Sequence, residues 1–250
     1  MRWMPPGVSC NDMLRNAWCT NMRRHQARIV RVQRQSHDVV TLYFCLQDGS
    51  VLPYAAGQYI TVYFDATSTP EGKAYSLSSA PSEPLMSITV KKIGEYSGRL
   101  HGLAAGNTFT ISDAYGHFNP MTTKPLVCIG AGVGIAPLWS VIKHEYQHDA
   151  QRVAQLFYSN KTVDDVAFLD ELAEASDATS LRVRHHITRQ QEVPALMSRG
   201  RINIEKCLQA AEEEAIYLVC GSVSFVRDIW KELTTHGIAA ERISTETFFE

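Results

Sequence analysis

Between residues 27 and about 120 the apolar positions come in short runs, ARIVRVQ, VVTLYFCL, GQYITVYF, MSITVKKI and TFTIS, separated by Gly, Pro, Ser and Asp. Short strands at this spacing predict an antiparallel barrel or sandwich. Only SGRLHGLAA, from Ser97, has a helical pattern in this half. After Pro120 the rhythm changes. PLVCIG, VAQLFY, LRVRHHI and AIYLVCG read as buried strands, and APLWSVIKHEYQH, DDVAFLDELAEA, EKCLQAAEEE and SFVRDIWKELTTHG as helices. Such alternation predicts a parallel sheet covered on both faces. The expected fold is an N-terminal antiparallel β-barrel, residues 25–121, followed by a C-terminal parallel-sheet α/β domain, residues 122–250. Residues 1–24 show neither period and are expected to form a poorly ordered extension.

Composition narrows the function. Lys+Arg number 24 against Asp+Glu 26 in 250 residues, a formal charge of -2, with 45% hydrophobic residues. A chain of this length and apolar content builds a sizeable core, and no global basic field exists to drive nucleic-acid binding. No apolar run is long enough to span a membrane, and the first 24 residues lack a signal-peptide stretch. A soluble, cytoplasmic protein with neither nucleic-acid nor membrane partner is expected. The six cysteines, at 10, 19, 45, 128, 207 and 220, show no CxxC spacing and no iron-sulfur pattern. They read as reduced thiols.

Three stretches carry candidate chemistry. KAYSLSSAP, residues 73–81, places a cation, an aromatic ring and a hydroxyl in succession, where a strand that only fills a core alternates apolar and polar. GAGVGIAP, residues 130–137, follows a strand and opens a helix, the setting in which backbone N–H groups bind phosphate. Ile135 stands where the ordinary dinucleotide fingerprint has its third glycine, and no acid follows VAQLFY. Tight packing is the alternative reading of these glycines. HEYQH, residues 144–148, matches a zinc-binding pattern, but helix phase puts His144 and His148 opposite the apolar face of Ile135, Leu138, Trp139, Ile142 and Tyr146. His185 and His186 alternate faces of a strand and cannot share one ion. No metal site is expected.

In this order the pieces resemble the ferredoxin–NADP(+) reductase superfamily over roughly residues 25–250. Lys73-Ala74-Tyr75-Ser76 is similar to that family's R-x-Y-S motif, which implies a basic residue on flavin phosphate, Tyr75 stacked on the isoalloxazine and Ser76 near flavin N5. Lysine in place of arginine keeps the charge and loses the bidentate fork. Thr89, Val90 and Lys91 resemble the next flavin strand, and Gly94-Glu95-Tyr96-Ser97 the G-x-x-S pyrophosphate turn, with Gly94 and Ser97 as its marks. GAGVGIAP resembles the pyridine-nucleotide loop, so Gly130, Gly132, Val133, Gly134 and Pro137 are implied in coenzyme binding. Ala131 and Val133 depart from the usual G-G-T-G-I-A-P. Tyr158, Ser159, Asn160 and Lys161 resemble the segment that receives adenosine. Lys161 is suited to a 2′-phosphate, while an exposed lysine is ordinarily just solvated, so NADPH and NADH both stay open. Cys220-Gly221-Ser222 resembles the C-G-P turn beside the nicotinamide. Glu246 and Phe248 resemble the closing strand, whose aromatic covers the other flavin face.

The resemblance implies an FAD-dependent NAD(P)H oxidoreductase with Ser76, Glu246 and Cys220 at the reacting edge. With no cluster cysteines, its electron acceptor is expected to be a separate one-electron carrier, a small [2Fe-2S] ferredoxin or a flavodoxin. The alternatives are a reductase of free flavin or ferric chelates, and a non-catalytic nucleotide-binding electron-transfer subunit.

Overall fold

The computed structural model describes residues 23–248 except 66, 68 and 150. Most of the expected extension, residues 1–22, thus lies outside the described residues. Arg24 belongs to the fold itself, because it opens the first strand and pairs with Ser112.

Six antiparallel strands form the first sheet: β1 (Arg24–Arg34), β2 (Val39–Leu46), β3 (Tyr59–Tyr63), β4 (Lys73–Ser76), β5 (Met86–Lys91) and β6 (Thr108–Tyr115). Their order is β4-β3-β6-β1-β2-β5. The two end strands meet through a single bridge, Leu77 to Ile88, so the sheet curls into a barrel with an open seam between β4 and β5. Ile29, Leu42, Phe44, Ile60, Leu77, Ile88 and Ile111 are fully enclosed at its centre, the inward half of each alternating strand. A short helix, α1 (Glu95–His101), follows β5.

The second sheet is parallel throughout, built from β7 (Leu126–Ala131), β8 (Ala154–Asn160), β9 (Leu181–Ile187), β10 (Ser198–Arg199), β11 (Ile216–Ser222) and β12 (Ile243–Phe248). In the order β10-β9-β8-β7-β11-β12 the chain moves from β7 to one side, then returns to β7's other side at β11. The crevice beyond the carboxyl ends of β7 and β11 is therefore a topological switch point, where open α/β sheets bind ligands. One face is covered by α2 (Ile135–His148) and α3 (Leu169–Ala178), the other by α4 (Ile204–Ala210) and α5 (Val223–Thr235). The Ser222 hydroxyl caps α5 by accepting from Phe225 N at 3.4 Å.

Helix α2 departs from its one-faced sequence pattern, since every residue from Ile135 to Ile142 is buried. The barrel covers its second face. Ser140 Oγ donates to the Ser79 carbonyl at 2.6 Å and accepts from Gly57 N at 3.3 Å, and Lys143 Nζ lies 2.5 Å from Glu83 Oε2. Gly57 sits at φ +85, and a Cβ there would lie 3.1 Å from Val141 Cγ2, so its bare backbone lets the helix come close.

One buried ion pair anchors the far end of α2. Arg152 contacts Glu145 and also donates Nε and Nη2 to the Lys124 carbonyl, at 3.1 and 2.5 Å. Its side chain is 7% exposed, so removing it leaves the Glu145 carboxylate without its partner in a poorly solvated place. Arg152→Ala is expected to lower unfolding free energy by about 3–5 kcal/mol, read from the urea midpoint at unchanged m value.

Candidate functional site

The seam brings the Lys73–Ser76 and Thr89–Lys91 segments to the two facing edges of the barrel. Edge strands present backbone donors and acceptors that no neighbouring strand takes, which suits a ligand laid along them. Lys73 is exposed and Tyr75 half-buried. Burial, with a smaller contribution from Tyr96, pushes the Tyr75 hydroxyl up to about 12, so this ring stays neutral. On the opposite edge the Thr89 hydroxyl is 3.0 Å from both the Thr41 and the Ser78 hydroxyls, and Val90 packs into the barrel core. Residues 89 and 90 thus offer a ligand their backbone rather than their side chains. Lys91 Nζ lies 3.4 Å from Asp38 Oδ2.

Ser97 is likewise committed. Its Oγ accepts from Ile93 N and Gly94 N, each at 2.9 Å, and donates to the Gly94 carbonyl at 3.0 Å. The hydroxyl shapes the start of α1 and has little left for a phosphate. Glu95, in the first turn, is paired at 3.1 Å with Arg99, which offsets an acid placed where an anion is expected.

Beyond the carboxyl ends of the parallel strands lies a cavity of about 750 Å³, walled by both domains. Gly132, Val133, Ser159, Asn160, Lys161, Gly221 and Phe248 line it from the second domain, Asp38 and Lys91 from the barrel. The three glycines of the loop divide between two jobs. Gly132 has φ +52 with nothing within 4 Å of where a Cβ would stand, so it faces open space. A Cβ at Gly130 would meet Leu138 Cδ1 at 2.8 Å, and one at Gly134 would come within 2.6 Å of the Cys220 carbonyl carbon. Gly130 and Gly134 therefore serve packing, and Gly132 opens onto the cavity. Pro137 is buried in the first turn of α2, where its missing N–H costs nothing.

Tyr158 differs from its expected place. It is fully buried and its hydroxyl donates to the Gly132 carbonyl at 2.9 Å, so it braces the glycine loop from behind and does not line the cavity. Asn160 does line it. This side chain is 5% exposed, and neither amide atom has a hydrogen-bond partner among the described residues. A buried unpaired amide is costly, and both of its polar atoms are closed off from solvent even with the cavity open.

Where the two domains meet, Ser76, Cys220 and Glu246 converge. Ser76 Oγ donates to Glu246 Oε1 across the interface, and Glu246 is the ladder partner of Cys220. Burial holds the Glu246 carboxyl above the usual carboxylate range, and the Ser76 hydrogen bond partly opposes this. The Cys220 thiol is raised well above its ordinary value, first by burial and then by the adjacent Glu246, and so stays protonated. Phe248, half-buried, lies two residues beyond Glu246 at the cavity wall.

In the zinc-like pattern His148 Nδ1 donates to the His144 carbonyl at 2.7 Å, and the two rings are tilted by 57° with centroids 4.3 Å apart. Another group among the described residues, His37, Asp38 and Asp165, does bring its ligand atoms within 4.8 Å of one another. His37 is 74% exposed there and Asp38 already holds Lys91, so this cluster reads as an ion-pair network at the cavity mouth. Sequence reasoning missed Thr188, Arg189 and Arg201, which also line the cavity. Their signal was positional, since they directly follow the carboxyl ends of β9 and β10.

Known proteins show the same division. Residues 26–119 match the model for an oxidoreductase FAD-binding domain, and residues 128–231 that for an oxidoreductase NAD-binding domain. The flavohemoprotein of Bacillus subtilis (strain 168) is 31% identical over 232 residues, covering 88% of this chain and 58% of that protein, so the chain spans less than two thirds of that relative. The glycine betaine monooxygenase reductase subunit of Pseudomonas aeruginosa is 25% identical over 251 residues, 95% of this chain and 67% of that one. A ferredoxin NADP+ reductase from Neisseria gonorrhoeae, solved with bound FAD and NADP, shares the fold at a TM-score of 0.77 and 22% identity, over 91% of this chain and 99% of that one. Fold and site together define a two-domain protein that binds FAD on a barrel and a pyridine nucleotide on a parallel sheet. The chain belongs to the oxidoreductases that join an FAD-binding domain to an NAD-binding domain, and it has the fold of a ferredoxin–NADP(+) reductase.

Proposed function

We propose that this protein oxidises NAD(P)H through FAD and passes the electrons singly to a separate carrier of the ferredoxin or flavodoxin type. The observation that carries this reading is the meeting of Ser76 with Glu246 and Cys220, three groups from two domains, at the junction of seam and cavity. FAD, when bound, supplies the conversion of a two-electron donor into one-electron steps. The chain's part is to hold and orient. Lys73 supplies charge for the flavin phosphates, Tyr75 covers one ring face and Phe248 stands on the cavity side. Ser76 fixes Glu246, and the packed Gly134–Cys220 contact sets how near the nicotinamide loop lies to that pair. The reductase subunit among the relatives favours an acceptor on another polypeptide.

Three cations, Lys161, Arg189 and Arg201, line one cavity, and none has an ion-pair partner among the described residues. Arg189 N donates to the Lys161 carbonyl at 2.8 Å, so two of them come from adjoining turns. This arrangement favours the 2′-phosphate of NADPH. Replacing Lys161 and Arg189 together by Ala is expected to reduce the preference for NADPH over NADH by about 10- to 100-fold, the worth of one or two charge-assisted hydrogen bonds. The comparison of kcat/KM for the two coenzymes reads it.

The function itself is tested by adding NADPH or NADH without oxygen to protein supplied with FAD. Bleaching of bound flavin followed by reduction of an added ferredoxin or flavodoxin supports the proposal. Protein that retains no flavin points to the non-catalytic subunit, and turnover of ferric chelate alone, with carriers inert, points to a chelate reductase.

A further inference from the structure

The outer face of β1 and its two neighbours carries chemistry that neither cofactor uses. Arg24, Arg28 and Arg31 are exposed on β1. Arg24 lies over the Tyr63 ring at 4.1 Å and Arg31 over the Tyr43 ring at 3.8 Å. Their ladder partners are Ser112 for Arg24, Cys45 and Thr108 for Arg28, and Tyr43 for Arg31, with no acid among them. None of the three guanidiniums forms an ion pair among the described residues. Asp113 is engaged by His25 and Glu171 by Gln33. Between Ile29 and Arg31 the register slips, leaving Val30 as a bulge with its side chain 41% exposed. Bulges at sheet surfaces re-aim side chains.

We propose that this face is a docking surface for a protein partner with an acidic patch. Arginine and tyrosine are the residues that most often dominate binding at protein interfaces, and an arginine stacked on an aromatic ring loses less freedom when it pairs with a carboxylate. Three cations on a chain of net charge -2 form a local patch, too small for the many phosphate contacts by which nucleic acids are held. Val30 and Val32 are the exposed large apolar residues of β1, and two valines give little to insert into a lipid surface. The first 22 residues do not supply the acid either, with Arg2 and Arg15 against Asp12 alone. In the barrel order β1 lies three strands from β4 and two from β5, away from the seam. A partner seated there leaves the flavin and coenzyme sites free, so this contact anchors the partner while electrons pass elsewhere.

The test uses the full chain supplied with FAD and poly-L-glutamate as the probe, with binding measured across a salt series. Arg28→Glu with Arg31→Glu is expected to weaken binding at least tenfold, to flatten its salt dependence, and to leave FAD content and flavin reduction by NAD(P)H unchanged. Arg28→Gln alone, which removes one charge without a reversal, is expected to give a smaller loss in the same direction and covers the case in which the double variant misfolds. Unaltered binding in Arg28→Gln, or a loss produced instead by Lys161→Glu in the coenzyme cavity, overturns the proposal. Heparin or phosphatidylglycerol vesicles binding more tightly than poly-L-glutamate and losing affinity in the same variants would assign the face to a nucleic-acid-like polymer or a membrane, and also overturn it.

Discussion

Gly134→Ala is expected to lower coenzyme-driven flavin reduction by more than about 100-fold while bound FAD is retained, because a displacement near 1 Å at a reacting pair costs that much. A Cβ at this position would meet the Cys220 carbonyl group and, at 2.9 Å, Gly221 Cα. All of these are backbone atoms on a fully buried strand end, and none can swing aside as a flexible side chain would. The loop must lift away from β11, which carries the coenzyme side of the cavity away from Glu246 and Ser76. The barrel, holding the flavin residues, is untouched. Stopped-flow absorbance of the flavin after mixing with NADPH reads the rate, and a variant reducing at nearly the parent rate would show that loop and strand can part without consequence. Gly132→Ala makes an informative contrast. Its Cβ meets open space, but φ +52 costs a non-glycine residue about 1 kcal/mol, and the methyl group intrudes on the ligand side. Weaker coenzyme binding, rather than a lost chemical step, is the expected outcome there.

Ser76→Ala is expected to slow flavin reduction by on the order of 100-fold with little loss of flavin, since it removes the hydroxyl that orients Glu246. The same change alters a titration. Burial already raises the Glu246 carboxyl, and the Ser76 hydrogen bond is what opposes that rise, so the variant's carboxyl moves higher still. The sign for stability follows from proton binding. An acid whose folded value exceeds its unfolded value binds protons more tightly when folded, so its contribution is complete below the unfolded value and fades as pH climbs through the folded one. Glu246→Gln removes the ionisation and is expected to flatten stability against pH from the ordinary glutamate range upward, with higher stability than the parent at neutral pH. Thermal midpoints across that range check it. A parent and variant with parallel pH profiles would remove Glu246 from the linkage.

Much of this was legible in the residues. Strand and helix alternation after Pro120 foretold the parallel sheet, and short interrupted runs before it foretold the barrel, because both patterns follow from which faces are buried. The meeting of Ser76, Cys220 and Glu246 was legible only through the resemblance, since the ladder pairing of β11 with β12 and the seam of the barrel are long-range facts. What stayed hidden was the direction of individual side chains. Tyr158 reads as a ligand residue and is a brace, because its ring is enclosed in the core between the sheet and α2 and its hydroxyl reaches the Gly132 carbonyl. Thr89 and Ser97 resemble cofactor-binding positions, and their hydroxyls are spent on neighbours within the barrel and at the start of α1. Arg189 and Arg201 carry no local motif, and only the positions of their strand ends reveal them.

Helix α2, buried on all sides through its first two turns, belongs to two cores at once. Its Ser140 and Lys143 serve the barrel while Leu138 and Ile142 serve the parallel sheet. Cutting the chain between β6 and β7 would strip the barrel of a wall and expose an apolar helix face on the other fragment. The two sequence modules are for this reason expected to melt as a single unit, and a barrel transplanted into a chimera is expected to need its helix, or a substitute of the same shape, along with it.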